Sequence, residues 1–299
     1  MTTPPSPLNR ALYAIPLAHG GVLDVGSRPL IMGVLNVTPD SFADAAHLSD
    51  PSQAVAAALE IEAAGADLID IGGESTRPGA VPVDAATEIA RVVPVVEALR
   101  GRLRIPVSVD TYKARVADAA LAAGASMIND ISGLQYEPAM AAVVARQGAA
   151  LVLMHTRGRS ADMYGRADYR DLIGEVVAEL KSSVRRATAA GVSMDAILVD
   201  PGVGFAKRPD DSYGVLARLP EIARALERPV LVGPSRKSFL KDAAGGADAS
   251  RRDWPTAAAV TAAVLAGAHI VRVHAVPQMV QVVRAAEEIR KHMAAAQTS

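Results

Sequence analysis

The sequence predicts an α/β protein with the (β/α)8 TIM-barrel fold and a short N-terminal β-hairpin. Short apolar runs alternate with Ala-rich or amphipathic segments, which gives about eight strand and helix units. The apolar runs are continuous, as is typical of parallel strands covered by helices. The chain has 299 residues, which suits a single closed barrel of roughly 250 residues. No glycine fingerprint for a dinucleotide opens the first unit, so we expect closure rather than an open doubly wound sheet.

The segment before the barrel is predicted to be a short hairpin. Tyr13 to Val25 has the length of two short strands that turn at Gly20-Gly21, and we expect it to close the bottom of the barrel. Prolines among the first seven residues cannot donate to a sheet, so residues 1–10 are predicted to be flexible. Residues 11–293 then form one domain, and residues 294–299 are predicted to be a flexible C terminus.

The barrel elements follow in order along the chain. The predicted strands are Leu30–Leu35, Leu68–Gly72, Pro106–Val109, Ser126–Ile128, Ala149–Met154, Ala196–Val199, Pro229–Val232 and His269–Val271. The predicted helices are Ser52–Ala64, Ala85–Arg100, Lys113–Ala123, Pro138–Gln147, Tyr169–Ala190, Tyr213–Glu227, Thr256–Ala266 and Pro277–Met293. Several helices are followed by glycine, the residue that most easily adopts the left-handed conformation that ends a helix: Gly65, Gly124, Gly148 and Gly267.

Composition excludes several classes of protein and several kinds of site. The chain is 50% hydrophobic, enough for a large core, and its net charge of -1 provides no basic field for nucleic acid or an anionic membrane surface. Cysteine is absent, which excludes disulfides, thiolate zinc sites and a cysteine nucleophile and suits a reducing cytoplasm. No apolar run reaches the roughly 18 residues of a membrane span, and the first residues lack the pattern of a signal peptide. We therefore expect a cytoplasmic protein that binds neither nucleic acid nor membrane.

Polar residues stand where the predicted strands end. These residues are Asn36, Glu74, Asp110, Asn129, Asp130, His155, Asp200, Lys237, Arg272 and His274. The active site of such a barrel lies at the carboxyl ends of its strands, so these side chains are expected to share one pocket. Two longer loops, Thr38 to Pro51 and Glu74 to Pro82, are rich in small and polar residues and are expected to cover that pocket.

Seven motifs at these strand ends, taken together and in order, resemble those of dihydropteroate synthases. They are Asn36-Val-Thr-Pro-Asp-Ser-Phe42, Glu74-Ser-Thr-Arg-Pro-Gly79, Val109-Asp-Thr111, Asn129-Asp-Ile-Ser-Gly133, Asp200-Pro-Gly-Val-Gly-Phe205, Ser235-Arg-Lys-Ser-Phe239 and Arg272-Val-His274. The resemblance spans roughly Pro29 to Arg290. It implies a transferase of folate biosynthesis that joins 6-hydroxymethyl-7,8-dihydropterin diphosphate to p-aminobenzoate and releases pyrophosphate. It also implies Mg²⁺ as cofactor, a homodimer and competitive binding of sulfonamides.

The resemblance assigns one set of residues to the pterin. A buried carboxylate such as Asp200 can accept two N-H bonds from the flat edge of a pterin, and the amide of Asn129 can contact a neighbouring donor and acceptor. The family also implies that Asp110 and Lys237 contact the ring system, and that Met154 and Phe205 provide apolar contacts. Analogues that leave these buried groups unpaired should be rejected.

A second set is assigned to the diphosphate and its departure. Arg272 and His274 supply positive charge and donors at the leaving oxygen, and with Lys237 they are the predicted catalytic residues. Thr76 is a further predicted diphosphate contact. The resemblance makes Asn36 the ligand of Mg²⁺, a cation that keeps several waters and bridges phosphate oxygens, so one protein ligand would suffice. No spacing of His, Asp and Glu indicates a tight transition-metal site.

The third set is assigned to p-aminobenzoate. The resemblance implies a pocket formed by Phe42, Thr76, Arg77 and Pro78, whose loops close over the site and exclude water from a resonance-stabilised pterin cation. Ser238 is expected to begin the helix after the seventh barrel strand, where its hydroxyl and free N-H groups bind the benzoate carboxylate.

Each of these residues also has a purely structural interpretation. Asp110 and Asp200 are common helix caps, Asp200-Pro-Gly and Asn129-Asp130 are turn sequences, and Arg272 can pair with a carboxylate alone. His274 is a candidate core histidine, Lys237 a solvated charge, and Phe42 and Phe205 ordinary packing residues. His155 has no assignment. The remaining histidines are expected to be structural or on the surface: His19, His47, His269 and His292.

The chain departs from the family pattern at four places. The first loop continues as Ala43-Asp-Ala-Ala46 instead of Ser-Asp-Gly-Gly, which reduces its flexibility. Ala275 replaces an Asp after Arg272-Val-His274, Ala206 replaces a Gly before Lys207, and Ser212 stands in place of a common Asn. These departures leave room for a slow or altered enzyme.

Three other functions stay open on the sequence alone. A pterin-binding methyltransferase shares the barrel and would transfer a methyl group to a corrinoid, but it has less use for Phe42, Arg77 and Ser238. A noncatalytic paralogue would bind pterin without turnover. A Schiff-base aldolase would use Lys237 as its nucleophile.

Overall fold

The computed structural model describes residues 10–38, 51–76 and 79–296, with the side chains of 294–296 left out. The strands are β1 (Tyr13–Pro16), β2 (Val22–Val25), β3 (Leu30–Asn36), β4 (Leu68–Gly72), β5 (Val107–Asp110), β6 (Met127–Asp130), β7 (Ala150–Met154), β8 (Ile197–Asp200), β9 (Leu231–Val232) and β10 (Ile270–Val273). The helices are α1 (Ser52–Ala63), α2 (Ala85–Leu99), α3 (Ala114–Ala123), α4 (Ala139–Gln147), α5 (Leu172–Ala189), α6 (Pro209–Ala217), α7 (Leu219–Leu226), α8 (Asp253–Leu265) and α9 (Val276–Ala296).

Strands β3 to β10 form a parallel eight-stranded sheet that closes on itself. The strand order is β8-β7-β6-β5-β4-β3-β10-β9, and every neighbouring pair is parallel. The two ends of this order meet through a parallel bridge between Val199 and Val230, where the N-H of Val199 donates to the carbonyl of Pro229 at 3.0 Å. The predicted (β/α)8 TIM barrel is confirmed.

Alternate residues of each strand belong to two different hydrophobic layers. One set, such as Ile69 and Ile71 of β4, packs in the large cluster that includes the helices. The other set, such as Leu68 of β4 and Met127 of β6, packs in a separate cluster inside the barrel. Because side chains of a strand alternate between its two faces, the inward positions of all eight strands form stacked layers.

The N-terminal hairpin closes the bottom of the barrel, as predicted. Strands β1 and β2 pair antiparallel, with Tyr13 opposite Val25. Ile15, Leu23 and Val25 are buried in the same cluster as the lower interior residues of the barrel strands. This apolar plug keeps water out of the lower barrel, so a polar site can form only at the opposite end.

The helices agree with the predicted ones except near one proline. We expect one helix over Tyr213–Glu227, and the structure has α6 and α7 there, with Pro220 in the first turn of α7. Proline lacks an N-H and clashes with the carbonyl four residues earlier, so the chain must start a new helix. All four predicted glycine caps have positive φ, and Gly148 is fully left-handed at φ 60 and ψ 29.

No helix within the described ranges is both long and apolar enough to cross a bilayer.

Candidate active site

Polar side chains occupy the upper interior of the barrel, at the carboxyl ends of its strands. A cavity of about 310 Å³ opens there. The predicted site residues that line it are Asn36, Thr76, Asp110, Phe205, Lys237, Ser238, Arg272 and His274. Three further predicted residues, Asn129, Met154 and Asp200, are buried in the same end of the barrel. The structure therefore brings together residues that lie up to 238 positions apart, from Asn36 to His274.

A hydrogen-bonded chain joins four of the inward-facing polar residues. Asp70 on β4 accepts from Asn129 Nδ2 at 2.9 Å and from Arg272 Nε at 2.6 Å, both at Oδ2. Arg272 also donates from Nη2 to Asp110 Oδ2 at 2.8 Å. Arg272 thus pairs with two carboxylates, as its structural interpretation predicts, and it also lines the cavity.

The surroundings of Asp110 raise the pKa of its carboxyl group. Burial and the nearby carboxylate of Asp70 together raise its pKa to about 7, against the opposing effect of Arg272. A carboxyl group with such a pKa can accept hydrogen bonds when ionised and donate one when protonated. Asp110 does not cap α3, because the residue at that helix start is Lys113 and no side-chain cap bond is made.

Asp200 lies at the end of β8 with its two oxygens in different roles. Oδ1 accepts from the N-H of Gly202 at 2.7 Å, so the predicted turn exists. Oδ2 would lie 4.0 Å from a Cβ at Gly233, a residue that also sits against Arg272. Burial raises the pKa of Asp200 to about 6, while the Gly202 N-H and the charge of Lys237 oppose that rise.

Lys237 lies over an aromatic ring inside the cavity. Its Nζ is 3.7 Å from the centroid of Phe205, and both residues line the same wall. Burial and the nearby Arg272 lower the pKa of Lys237 to about 7, against the attraction of Asp200 and Asp110. A lysine in this state can donate a hydrogen bond and can gain or lose a proton near neutral pH.

The remaining surface beside Asp200 is apolar. Met154 and Phe205 are buried and pack in one cluster with Tyr112, Ile131 and Met163. An apolar wall next to carboxylate and amide groups suits a flat ring with a polar edge.

Donors concentrate at the outer end of the cavity. His274 Nδ1 lies 2.9 Å from the hydroxyl of Ser235, which also accepts from the backbone N-H of His274 at 3.2 Å. Ser238 is exposed, and its hydroxyl lies 2.8 Å from that of Tyr164. Ser238 begins a 3-10 turn of three residues, Ser238–Leu240, and the long helix α8 starts only at Asp253, so the predicted helix start at Ser238 is wrong.

Asn36 has the position and chemistry that a Mg²⁺ ligand needs. It ends β3, lines the cavity with Arg272 and His274, and offers an uncharged amide oxygen. Gly72 leaves space beside it, since a Cβ there would lie 3.7 Å from Asn36 Oδ1. Among the described residues there is no cluster of His, Cys, Asp and Glu that could hold a metal by itself. One oxygen ligand facing an open cavity fits a cation that keeps its waters.

The second loop is anchored at its base. Glu74 accepts from the Val83 N-H at 3.1 Å, the Tyr112 hydroxyl at 2.8 Å and Lys113 Nζ at 2.5 Å. Lys113 also pairs with the buried Glu88. Thr76 lies at the cavity rim, whereas the predicted residues Phe42, Arg77 and Pro78 are outside the described part of the chain.

Several residues of this site were not predicted. Asp70 interrupts a strand that is otherwise apolar, and its charge at an inward strand position is the signal that could have identified it. Ser235 stands within a recognised motif, but only its contact with His274 gives it a role. Asp130, in contrast, turns its carboxylate to Ser132 and Leu134, so the turn interpretation of Asn129-Asp130 holds for Asp130 alone.

Comparison with known proteins agrees with this geometry. The sequence model of the family described as "Pterin binding enzyme" matches residues 32–274. A dihydropteroate synthase of Synechocystis is 43% identical over 286 residues, which are 96% of this chain and 95% of that protein. A dihydropteroate synthase structure from Burkholderia cenocepacia, solved with 7,8-dihydropteroate, has a TM-score of 0.84 at 41% identity and covers 97% of this chain and 100% of its own.

A further solved structure adds a second ligand class. The Yersinia pestis dihydropteroate synthase, in complex with a sulfonamide drug, has a TM-score of 0.84 at 41% identity and covers 92% of this chain and 98% of its own. The family match covers most of the chain and includes the strands that carry the cavity. The chain belongs to the pterin-binding enzyme family, as one of its dihydropteroate synthases.

Proposed function

We propose that this chain condenses 6-hydroxymethyl-7,8-dihydropterin diphosphate with p-aminobenzoate to give 7,8-dihydropteroate and pyrophosphate, a step of folate biosynthesis. One observation carries the proposal. The cavity is lined by Asp110, Phe205, Lys237, Arg272 and His274, and Asn129, Met154 and Asp200 are buried at the same end of the barrel. Buried carboxylate and amide groups, an apolar wall and neighbouring cations suit a substrate that combines a flat polar ring with an anion.

The pterin would lie in the deep part of the cavity. Asp200 accepts N-H bonds from the pterin edge, Asn129 contacts the neighbouring polar atoms, and Asp110 and Lys237 contact the ring system. Met154 and Phe205 pack against the ring faces. Asn129 is fixed by its bond to Asp70 and Asp200 by its bond to Gly202, so both groups are oriented before substrate arrives.

The reaction breaks the bond between the pterin methylene carbon and the diphosphate oxygen. The bonding electron pair leaves with the diphosphate, and Arg272 and His274 stabilise the negative charge that grows on it. The lone pair of the arylamine nitrogen then forms the new C-N bond, and that nitrogen loses one proton. Asn36 would hold Mg²⁺, which would supply further charge stabilisation to the leaving group.

The p-aminobenzoate would bind at the rim. Thr76 and Ser238 are the described residues of this pocket, and Phe42, Arg77 and Pro78 complete the proposal. Ser238 offers its hydroxyl to the benzoate carboxylate, in place of the helix start that the sequence suggested.

Assembly and location are also proposals. The resemblance to the family supports a homodimer with small-molecule substrates as its partners, and light scattering of the purified chain tests that state. The same resemblance supports a cytoplasmic location, which cell fractionation tests. Neither nucleic acid nor membrane is a proposed partner, since the net charge of -1 offers no field for polyanions.

Turnover of the purified chain tests the proposed reaction. Dihydropterin diphosphate, p-aminobenzoate and Mg²⁺ should yield equal amounts of dihydropteroate and pyrophosphate, measured by chromatography and a coupled phosphate assay. Omitting Mg²⁺ in the presence of a chelator should lower the rate, and adding a sulfonamide should inhibit it in competition with p-aminobenzoate. Absence of product at high enzyme concentration, in a protein that binds the pterin, would instead support a noncatalytic paralogue.

A further inference from the structure

Beneath the cavity floor lies a row of ionisable side chains that makes no contact with the proposed substrates. His155, which follows β7, has its Nε2 3.1 Å from Glu179 Oε2 and its Nδ1 2.8 Å from Lys207 Nζ. His155 and Lys207 are buried, at 2% and 1% exposure, and Glu179 is partly exposed on α5. Arg157 also pairs with Glu179, so the outer end of the row carries a cation and the inner end a lysine.

The hydrogen-bond partners and the pKa values together indicate where the protons are. Burial lowers the pKa of Lys207 to about 7 and that of His155 to about 4, so Lys207 keeps the proton. Lys207 Nζ contacts His155 Nδ1, the Gly202 carbonyl at 3.1 Å and the Phe205 carbonyl at 3.2 Å. An ammonium group has three donors and no acceptor, so these three partners satisfy it only if His155 Nδ1 accepts. His155 is then neutral, with its proton on Nε2 and directed to Glu179. The same assignment agrees with burial and Lys207 lowering the pKa of His155 to about 4.

The segment that Lys207 holds is the loop from Gly202 to Ala206. Gly202, Gly204 and Ala206 have φ values of 68, 77 and 46, all in the left-handed region. At Gly202 a Cβ would lie 1.9 Å from the carbonyl oxygen of His155, so the loop lies directly on the strand end that carries His155. An unusual backbone of this kind persists only where its surroundings hold it.

The two ends of this loop carry the proposed pterin contacts. Asp200 accepts from the Gly202 N-H, and Phe205 lies beneath Lys237. The backbone carbonyl of Asp200 in turn accepts from the N-H of His155 at 2.8 Å. Movement of the Gly202 or Phe205 carbonyl would therefore shift both the Asp200 carboxylate and the Phe205 ring, two of the proposed pterin contacts.

We propose that Glu179, His155 and Lys207 are positioning residues, which hold the Gly202–Phe205 backbone so that Asp200 and Phe205 are in place for the pterin ring. This inference rests on the proposed pterin site. It differs from a role in stability because its effect falls mainly on one substrate. Lys207 bonds the Gly202 and Phe205 carbonyls beside the pterin contacts, whereas Ser238 is linked to this loop through Tyr164, whose hydroxyl lies 3.5 Å from the Gly204 carbonyl.

The chain contains a matched control for a substitution at His155. His269 is also buried, at 4% exposure, and burial likewise lowers its pKa to about 4. Its Nδ1 accepts from the Val230 N-H at 3.1 Å and its Nε2 lies 3.1 Å from the Ala11 carbonyl, so the pattern of donor and acceptor is the same. His269 precedes β10 and packs beside the hairpin, and its side-chain contacts with Val230, Ala11 and Tyr13 involve none of the residues that line the cavity.

The experiment compares His155→Phe with His269→Phe. Both variants lose two hydrogen bonds in a buried place, and a similar drop in melting temperature is expected for both. His155→Phe should weaken binding of 6-hydroxymethyl-7,8-dihydropterin diphosphate on the order of tenfold, by calorimetry, with little change in the KM for p-aminobenzoate. His269→Phe should leave both values within about twofold of the unmodified chain.

Milder variants keep the test decisive if a phenylalanine variant does not fold. His155→Asn places its side-chain oxygen near the former Nδ1 and still accepts from Lys207, so only about a threefold loss in pterin affinity is expected. His269→Asn is its control and should show no loss. Lys207→Met, which removes the donor to both carbonyls, should resemble His155→Phe.

The outcomes separate this inference from the proposed function. If the unmodified chain does not bind the pterin diphosphate, the proposed function fails and the inference fails with it. If the unmodified chain binds it and the His155 and His269 variants lose affinity equally, or lose affinity for both substrates alike, then the three residues stabilise the fold only and the inference is wrong.

Discussion

At the scale of single residues, the site consists of charged side chains that the barrel interior holds close to one another. Arg272 lies between Asp70 and Asp110, so its removal would take away the ion pair of two buried carboxylates. The variant Arg272→Ala should therefore affect both turnover and stability. The structure indicates that both would fall, since the same guanidinium that faces the cavity also holds the fold of the barrel mouth together.

The raised pKa of Asp200 predicts how pterin binding depends on pH. Burial favours the protonated carboxyl in the free enzyme, with a pKa of about 6, whereas two pterin N-H groups require the ionised form. Binding must then release a proton at low pH, so affinity should increase as the pH rises from about 5 to about 7 and then level off. Calorimetric titrations across this range measure the effect.

Asp200→Asn is the control for that prediction. The amide cannot ionise, so affinity should be lower and the part of the pH dependence centred near 6 should disappear. Any remaining dependence nearer to 7 would belong to Asp110 or Lys237, whose pKa values are both about 7. An unchanged pH profile in Asp200→Asn would show that Asp200 is not the titrating contact.

At the scale of elements, helix ends and loops determine where the strands, and the polar residues at their ends, lie. The chain leaves α7 at Glu227, which has φ 51 and ψ 37 and is exposed. Glycine is the usual residue at this left-handed position, because a Cβ there meets the following carbonyl. The other helix ends with this geometry, such as Gly148 after α4, already have glycine.

Glu227→Gly should therefore stabilise the protein. The left-handed conformation costs a residue with a Cβ roughly 1–2 kcal/mol, and the greater freedom of glycine in the unfolded chain offsets part of that, so a gain of about 0.5–1 kcal/mol in the free energy of unfolding is expected. Denaturant titration measures it. Glu227→Ala removes the same side chain without relieving the backbone, and an equal gain in that variant would contradict the explanation.

The sequence located best those elements whose position depends on neighbouring residues. The glycine caps and the strand ends depend on neighbouring residues, and they were located to within one to three residues. The division between α6 and α7 at Pro220 also has a local cause that the apolar periodicity concealed. The turn at Ser238 has a different origin, because the chain between Lys237 and α8 is fixed by Arg252, which donates to the carbonyls of Arg236 and Ala247.

At the scale of the whole molecule, the two ends of the barrel have different roles: one end stabilises the fold and the other carries the site. The lower interior is apolar and closed by the hairpin, and the upper interior is polar and open. Each strand runs from the lower apolar layers to the upper site. The lower layers can therefore support the site without contacting it.

Ile15→Ala tests this separation. Ile15 is fully buried against the lower barrel layer, and truncating a large aliphatic side chain there should lower the free energy of unfolding by about 2–4 kcal/mol. Because Ile15 packs in the lower interior cluster, whose members are not among the cavity-lining residues, kcat/KM at a temperature well below unfolding should stay unchanged. Denaturation and steady-state kinetics measure the two effects, and a loss of kcat/KM comparable to that of a cavity variant would argue against independent ends.

The sequence by itself determined the barrel, its hairpin, the order of its elements and the end at which polar residues gather. These follow from periodicity, glycine caps and the alternation of strand side chains, which act over a few residues at a time. Only the tertiary structure decided which polar residues bond to one another, as in Asp70 with Arg272 and Asn129 or His155 with Lys207. Those contacts join residues 52 to 202 positions apart, and closure of the sheet, rather than any local pattern, sets their distances and their charges.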